Sequence, residues 1–233
     1  MNPGRSTSGD TWELSNLYIE GHRCLTVGSG MQLNPLKVPL VSFAGLAAVV
    51  IFCAFAALAI ARFPPGFSPS VNWISDLGNT NLNPWGAGVF NAGCEIAGVL
   101  VAIFFVGLYP WYTVERWRNL MVAGAQVTGV AAGLSLIMVG LYPEVFASEH
   151  YLWSGVFFVS LCLALVLANA ALYSHRKFNP VVAVVGLAAA VVVVVFIASK
   201  LTAVEVPILE WASVATALIW ALAVAVDAYL TFT

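Results

Sequence analysis

Apolar residues gather in six long runs, approximately Val38–Ala61, Trp85–Leu108, Leu120–Leu141, Tyr151–Leu172, Val181–Ser199 and Ile208–Tyr229. Each is close to the roughly 20 residues an α-helix needs to cross a bilayer. The runs are continuous and do not alternate, so they do not fit the short strands of a membrane barrel, the other closed solution for a spanning backbone. The pattern predicts an all-α polytopic membrane protein, with six transmembrane helices in one bundle over residues 36–233. Residues 1–35 are polar and rich in Gly and Ser, with no apolar core long enough for a signal peptide. They read as a polar cytoplasmic tail without fixed structure, with a weak interfacial helix around Trp12 to Ile19 as the alternative. Met31 through Lys37 has the character of an ordinary start before a first span. The expectation is therefore that residues 1–30 are a start-site artefact or a dispensable extension.

Within the runs, polar and small residues mark the working faces. The segment from Phe63 to Glu95 opens on Pro64, Pro65, Gly66 and Pro69, passes through Ser75-Asp76-Leu77-Gly78, and carries Asn91 and Glu95 into the second run. Val71–Leu77 is expected to form a short interfacial helix, with Ser70 as N-cap and Gly78 as its stop. Trp73 and Trp85 are expected at headgroup depth. Pro84 is expected to start the second helix, and Gly86, Gly88, Gly93 and Gly98 to leave one of its sides bare. Gly129 and Gly133 give the third run a GxxxG pattern that favours tight packing.

Composition confirms the class. Hydrophobic residues make up 61% of the 233 and charged residues 9%, against about 25% charged in soluble domains. The net charge of −2 carries little, but its distribution carries more. Arg5, Arg23 and Lys37 precede the first run, Arg116 and Arg118 lie between the second and third, and Arg176 and Lys177 between the fourth and fifth. The alternate connections hold only Arg62 and Lys200. Lys and Arg accumulate on the cytoplasmic side. The expectation is a cell-membrane protein with both termini cytoplasmic and the 63–84, 142–150 and 200–207 segments outward.

Candidate chemistry lies mostly on that outward side. Asn91 and Glu95 are four apart and share a helix face, with Glu95 about 15 Å into its run. An ionisable group at such depth is costly and normally faces the bundle interior with a partner or a function. Glu95 is thus a proton carrier, a headgroup ligand, a general acid or base, or a protonated structural group bonded to Asn91 or Gln126. Gln126 enters from the cytoplasmic side by roughly 10 Å and is expected near the depth of Glu95. His150 with Glu149 and Glu144 forms a candidate acid–base or metal cluster, although a single histidine argues against a dedicated zinc site, or simply a polar helix start in which acids suit the dipole. Ser75 with Asp76 is a candidate nucleophile and helper, or a turn pair. Glu210 is a further pocket acid or a favourable first-turn residue. Asp227 is expected at the cytoplasmic interface or paired with Arg176 or Lys177. The candidate catalytic residues are therefore Glu95, His150, Asp76 and Ser75, and the ligand-binding ones Asn91, Gln126, Glu149 and Glu210.

The four cysteines, Cys24, Cys53, Cys94 and Cys162, have no metal spacing and read as packing residues. No metal and no cofactor is expected. There is no nucleotide loop, serine elbow or HExxH motif, and no basic stripe for nucleic acid. The expected partners are membrane lipids, and a second copy or another membrane protein through the glycine-rich helix faces.

Three short motifs carry a resemblance: Ser75-Asp76-Leu77-Gly78, Phe90-Asn91-Ala92-Gly93 running into Gly98, and Gly140-Leu141-Tyr142-Pro143 followed by His150. They resemble a prokaryotic six-helix membrane family, domain of unknown function 998, over roughly residues 38–230. The layout is also similar to eukaryotic six-helix DRAM/Sfk-type proteins, some of them linked to lipid remodelling or lipid-dependent signalling. The resemblance implies that the three motifs share the outward side and brings no established activity. The expected function is an outward-facing polar pocket that binds or modifies a lipid or amphiphile. The alternatives are a small proton-coupled transporter and a non-catalytic assembly or sensor subunit.

Overall fold

The computed structural model describes residues 38–173 and 175–233. The expectations for the 1–35 tail, the Met31 start, Cys24, and the basic residues Arg5, Arg23 and Lys37 lie outside the described residues. The six predicted helices are present: α1 Leu40–Ile60, α2 Ala87–Val106, α3 Arg116–Leu141, α4 Ala147–Leu172, α5 Pro180–Leu201 and α6 Pro207–Phe232. All six are long and apolar enough to span a membrane. Helices α3 and α4 each begin four residues before their apolar runs, because Arg116 to Asn119 and Ala147 to His150 are polar or small yet helical.

Each helix packs on its neighbours in sequence, and α1 also packs on α6, so the six close into a ring. Inside the ring, Phe104 and Phe105 of α2 meet Trp220 of α6, with centroids 5.7 and 6.0 Å apart, and Phe158 of α4 meets Phe196 of α5 at 4.5 Å. Asn169 is fully buried on α4. Its amide donates to Leu165 O at 2.7 Å and its carbonyl accepts the Trp220 indole N–H at 2.9 Å, tying α4 to α6. A buried amide of this kind is stable only because both of its ends are satisfied.

Close backbone approach sets the register of α2 on α3. A Cβ on Gly98 would stand 2.5 Å from Gly133 O, and one on Gly140 would stand 2.6 Å from Asn91 O. The two contacts lie seven residues apart on each helix, in opposite directions, as an antiparallel pair requires. The α2 glycines do not share one bare side. Gly93 meets Phe55 of α1, Gly86 meets Ala59 O and the Asn83 side chain, Gly98 meets α3, and Gly88 has open space. Gly88, Gly93 and Gly98 are each five residues apart, which turns successive directions by about 140° around the helix axis. Gly129 and Gly133 likewise meet α2 of the same chain.

Two ends result. One carries the 61–86 loop and the α3–α4 and α5–α6 connections and is called the long-loop end below. The opposite end carries Arg116, Arg118, Arg176 and Lys177, with an Arg118–Glu115 ion pair at 2.8 Å. Burial, with the charges of Arg118 and Lys177 adding to it, holds the His175 imidazole below its usual range at that end. Asp227 does not pair with Arg176 or Lys177; its carboxylate accepts the Asn179 backbone N–H at 3.4 Å.

A candidate binding site at the long-loop end

The loop after α1 folds by side-chain capping of its own backbone. Asn72 Oδ1 accepts from Ser68 N at 3.2 Å, and Asp76 Oδ2 accepts from Trp73 N at 3.1 Å and from Asn72 Nδ2 at 3.0 Å. Such local bonds compete with helix continuation. The helix expected over Val71–Leu77 is therefore only a 3-10 turn, Ser75–Gly78, and Ser70 does not cap it. Trp85 is exposed, whereas Trp73 packs inward on Phe196 with Lys200 Nζ over its ring at 3.6 Å.

Long-range bonds then fix this turn over the ring. Ser75 Oγ donates to Glu144 Oε1 at 2.6 Å, and Asn79 Nδ2 donates to Glu144 Oε2 at 3.1 Å. Ile74 N donates to Glu210 Oε2 at 2.9 Å, and the Trp211 indole donates to Asn72 O at 2.8 Å. Asn91 Nδ2 donates to Gly78 O at 3.1 Å. A Cβ on Gly78 would overlap Asn91 Oδ1, so only glycine allows this approach. Asn83 lies beneath, fully buried: its amide donates to Leu77 O at 2.9 Å and Ala59 O at 3.2 Å, and its carbonyl accepts from Gly86 N at 3.0 Å.

Two cavities meet under the turn. A polar chamber of about 790 Å³ is bordered by Ser75, Asp76, Glu144, Lys200 and Glu205. A narrower slot of about 100 Å³ runs into the ring among Phe52, Phe90, Phe104, Phe105 and Trp220. Ser75, His150, Ser154, Phe158 and Glu210 line both, so chamber and slot adjoin. His150 is 8% exposed and Glu210 6%. His150 Nδ1 lies 3.0 Å from Tyr142 O; a carbonyl only accepts, so Nδ1 carries the proton. Burial pushes the Asp76 carboxyl above its usual range and the adjacent Glu144 charge adds to the rise, against hydrogen bonds from Asn72 and Trp73. Two carboxyls this close favour one shared proton.

Ser75, Asp76, His150 and Glu210 are thus brought together around one space. Glu149 is not: it is exposed and accepts from Ser148 Oγ at 2.8 Å. Asn91, Glu95 and Gln126 line neither cavity. Glu95, about 12 Å along α2, is half-buried against Gly140 at the edge facing α3. Gln126 does not reach its depth. The amide of Gln126 donates to Val106 O at 2.9 Å and its carbonyl accepts from Tyr112 Oη at 2.9 Å. The reason is register: α3 begins at Arg116, and the Gly98–Gly133 contact brings Gln126 opposite the last turn of α2. Eleven residues, about 16 Å of helix, separate Val106 from Glu95. Among the described residues, no group of three His, Cys, Asp or Glu side chains is placed to hold a metal ion.

Glu205, Lys200 and Asn83 are the site residues that sequence reasoning passed over. Asn83 carried a usable signal, since Asn before Pro at the start of an apolar run is an N-cap pattern. Lys200 and Glu205 carried none, because their role depends on which helix lies beside α5.

Six apolar helices of spanning length, closed into a ring, define a polytopic all-α membrane protein. The family model described as a protein of unknown function, DUF998, matches residues 46–227, and the chain belongs to that family. No curated protein and no solved structure matches it.

Proposed function

We propose that this protein binds a lipid or other single-chain amphiphile, with the polar group in the chamber and the apolar chain in the slot. The observation that carries the reading is the adjacency of the two spaces, which share five lining residues. A polar chamber alone suits any solute, and an apolar slot alone suits packing, but side by side they match a molecule with both characters. In this reading the protein sits in the cell membrane with both termini cytoplasmic and the chamber outward, in keeping with the Lys and Arg distribution. Ser75, whose hydroxyl proton already points at Glu144, is the group a modifying activity would use as nucleophile.

Lipid co-purification tests the reading. Native mass spectrometry of the wild type is expected to retain a defined lipid, and Ala217→Phe, which projects a ring into the slot, to lose it while melting normally. Identical generic lipids on both would overturn the reading.

A proton-coupled transporter is the second reading, favoured by the paired Asp76 and Glu144 carboxyls. It expects pH-driven flux in proteoliposomes that Asp76→Asn abolishes; flux unchanged in that variant removes its basis.

A further inference from the structure

The polar chamber cuts into the wall of the ring as well as lying under the turn. Its border on α4 recurs at Ala147, Tyr151, Ser154, Gly155, Phe158 and Val159, the three- and four-residue spacing of one helix face. That face passes from the inside of the ring to the outside. Phe158 is buried, whereas Tyr151 is 67% and Val159 48% exposed. Gly155 between them is also exposed, and a Cβ there would meet nothing within 4 Å among the described residues. The border on α5 repeats the pattern, with Phe196 and Ser199 buried and Lys200 and Leu201 exposed. A single space bordered by both sets of side chains opens through the wall between α4 and α5.

The opening has a floor. Phe158 and Phe196 meet edge to face with centroids 4.5 Å apart. One turn deeper the Cys162 thiol donates to Ala190 O at 3.9 Å, so below Val159 the two helices are in contact. Its depth puts the opening in lipid. Helix α4 has 26 residues, about 39 Å, against a hydrocarbon core of about 30 Å. Val159 stands about 18 Å along the axis from Ala147, which is roughly 13 Å inside the core for a centred helix.

We propose that this opening is a lateral portal, through which a membrane lipid passes from the bilayer into the chamber. The proposal deepens the amphiphile reading and rests on it. A solute arriving from water needs only the top of the chamber, not a gap that descends nearly to mid-bilayer. An acyl chain sliding between α4 and α5 stays out of water throughout, whereas entry from the aqueous face would expose its whole length. The rim suits that occupant. Val159, Ile197 and Leu201 give it apolar sides, and Tyr151 and Lys200 stand near the helix ends, at headgroup level. Gly155 keeps the passage clear, because any side chain there projects into it.

The test uses the full chain in proteoliposomes, with Cys24, Cys53, Cys94 and Cys162 replaced and Ser154→Cys introduced as the only thiol. Ser154 is half-buried and lines both cavities. Two reagents are compared: N-hexadecylmaleimide, which resides in the bilayer, and N-methylmaleimide, small enough to arrive by any route. The ratio of their labelling rates cancels changes in the reactivity of the thiol. Adding Gly155→Trp is expected to lower that ratio about tenfold, the effect of about 1.4 kcal/mol on an entry barrier. Val159→Trp on the exposed rim is a second plug with the same expectation, and thermal midpoints near the parent's establish that each variant is folded. Gly88→Trp, which fills open space on α2 away from both cavities, should leave the ratio unchanged. A ratio that neither plug moves overturns the portal, and so does an equal fall with Gly88→Trp. If the wild type still retains a defined lipid in native mass spectrometry, the amphiphile reading survives that failure. If it retains none, the amphiphile reading fails and the portal with it.

Discussion

Asn83 shows how much one polar side chain can hold at a membrane boundary. It joins the last turn of α1, the end of the 3-10 turn and the first turn of α2 through three hydrogen bonds. Ala59 O also accepts from Arg62 N and Gly86 N also donates to Asn83 O, so Leu77 O is the partner that depends on the amide most. Asn83→Ala should therefore leave Leu77 O without its donor, remove one bond each from Ala59 O and Gly86 N, and cost about 1–3 kcal/mol. A lower thermal midpoint in detergent is the expected reading, and Asn83→Asp, which keeps the acceptor for Gly86, should lose less. A midpoint equal to wild type would mean that water replaces the amide. Ser75 and Asp76 were visible as candidates because the pair suits a nucleophile with its helper, though it equally suits a turn. Glu144, which meets Ser75, and Glu210, which meets the Ile74 amide, lie 69 and 136 residues away, and no local pattern could supply such pairs.

The helices themselves were legible, and for a physical reason. In a bilayer every backbone group must be satisfied within the segment, so length and apolarity nearly determine the element. Orientation about each axis was not legible, since lipid and bundle interior are both apolar and a helix such as α5 shows no contrast between its faces. Side-chain size takes over that role, as at the α2–α3 contact. There the GxxxG pattern indicated close approach, but the partner of each α2 glycine depended on the ring. Gly98→Ala puts a Cβ 2.5 Å from Gly133 O, where backbone must move, and should destabilise the protein by about 1–3 kcal/mol. Gly88→Ala meets nothing within 4 Å and should be neutral or stabilising by up to about 1 kcal/mol from helix propensity alone. Unfolding of the two variants side by side checks the register, and similar losses would contradict it. Gln126 and Glu95 failed to meet because of that same register, which two glycines set.

For the whole molecule, the two ends differ in chemistry and in charge. The long-loop end gathers Asp76, Glu144, Glu205 and Glu210 around the chamber, with Arg62 turned back onto Leu58 O at 3.1 Å and Lys200 held on Trp73. The opposite end collects Arg116 and Arg118 in the first turn of α3 and Arg176 and Lys177 in the α4–α5 connection. Since short basic connections are retained in the cytoplasm, the acidic chamber should open to the outside and draw its ligand from the outer leaflet. Two exposed valines make this measurable: Val71 in the long loop and Val114 between α2 and α3. In a background with Cys24, Cys53, Cys94 and Cys162 replaced, Val71→Cys should react with a membrane-impermeant maleimide on intact cells. Val114→Cys should react only after permeabilisation. The reverse pattern would turn the chamber toward the cytoplasm. Its acids would then face the inner leaflet and the basic end the outside, against the charge rule, and the ligand would have to be sought among cytoplasmic amphiphiles.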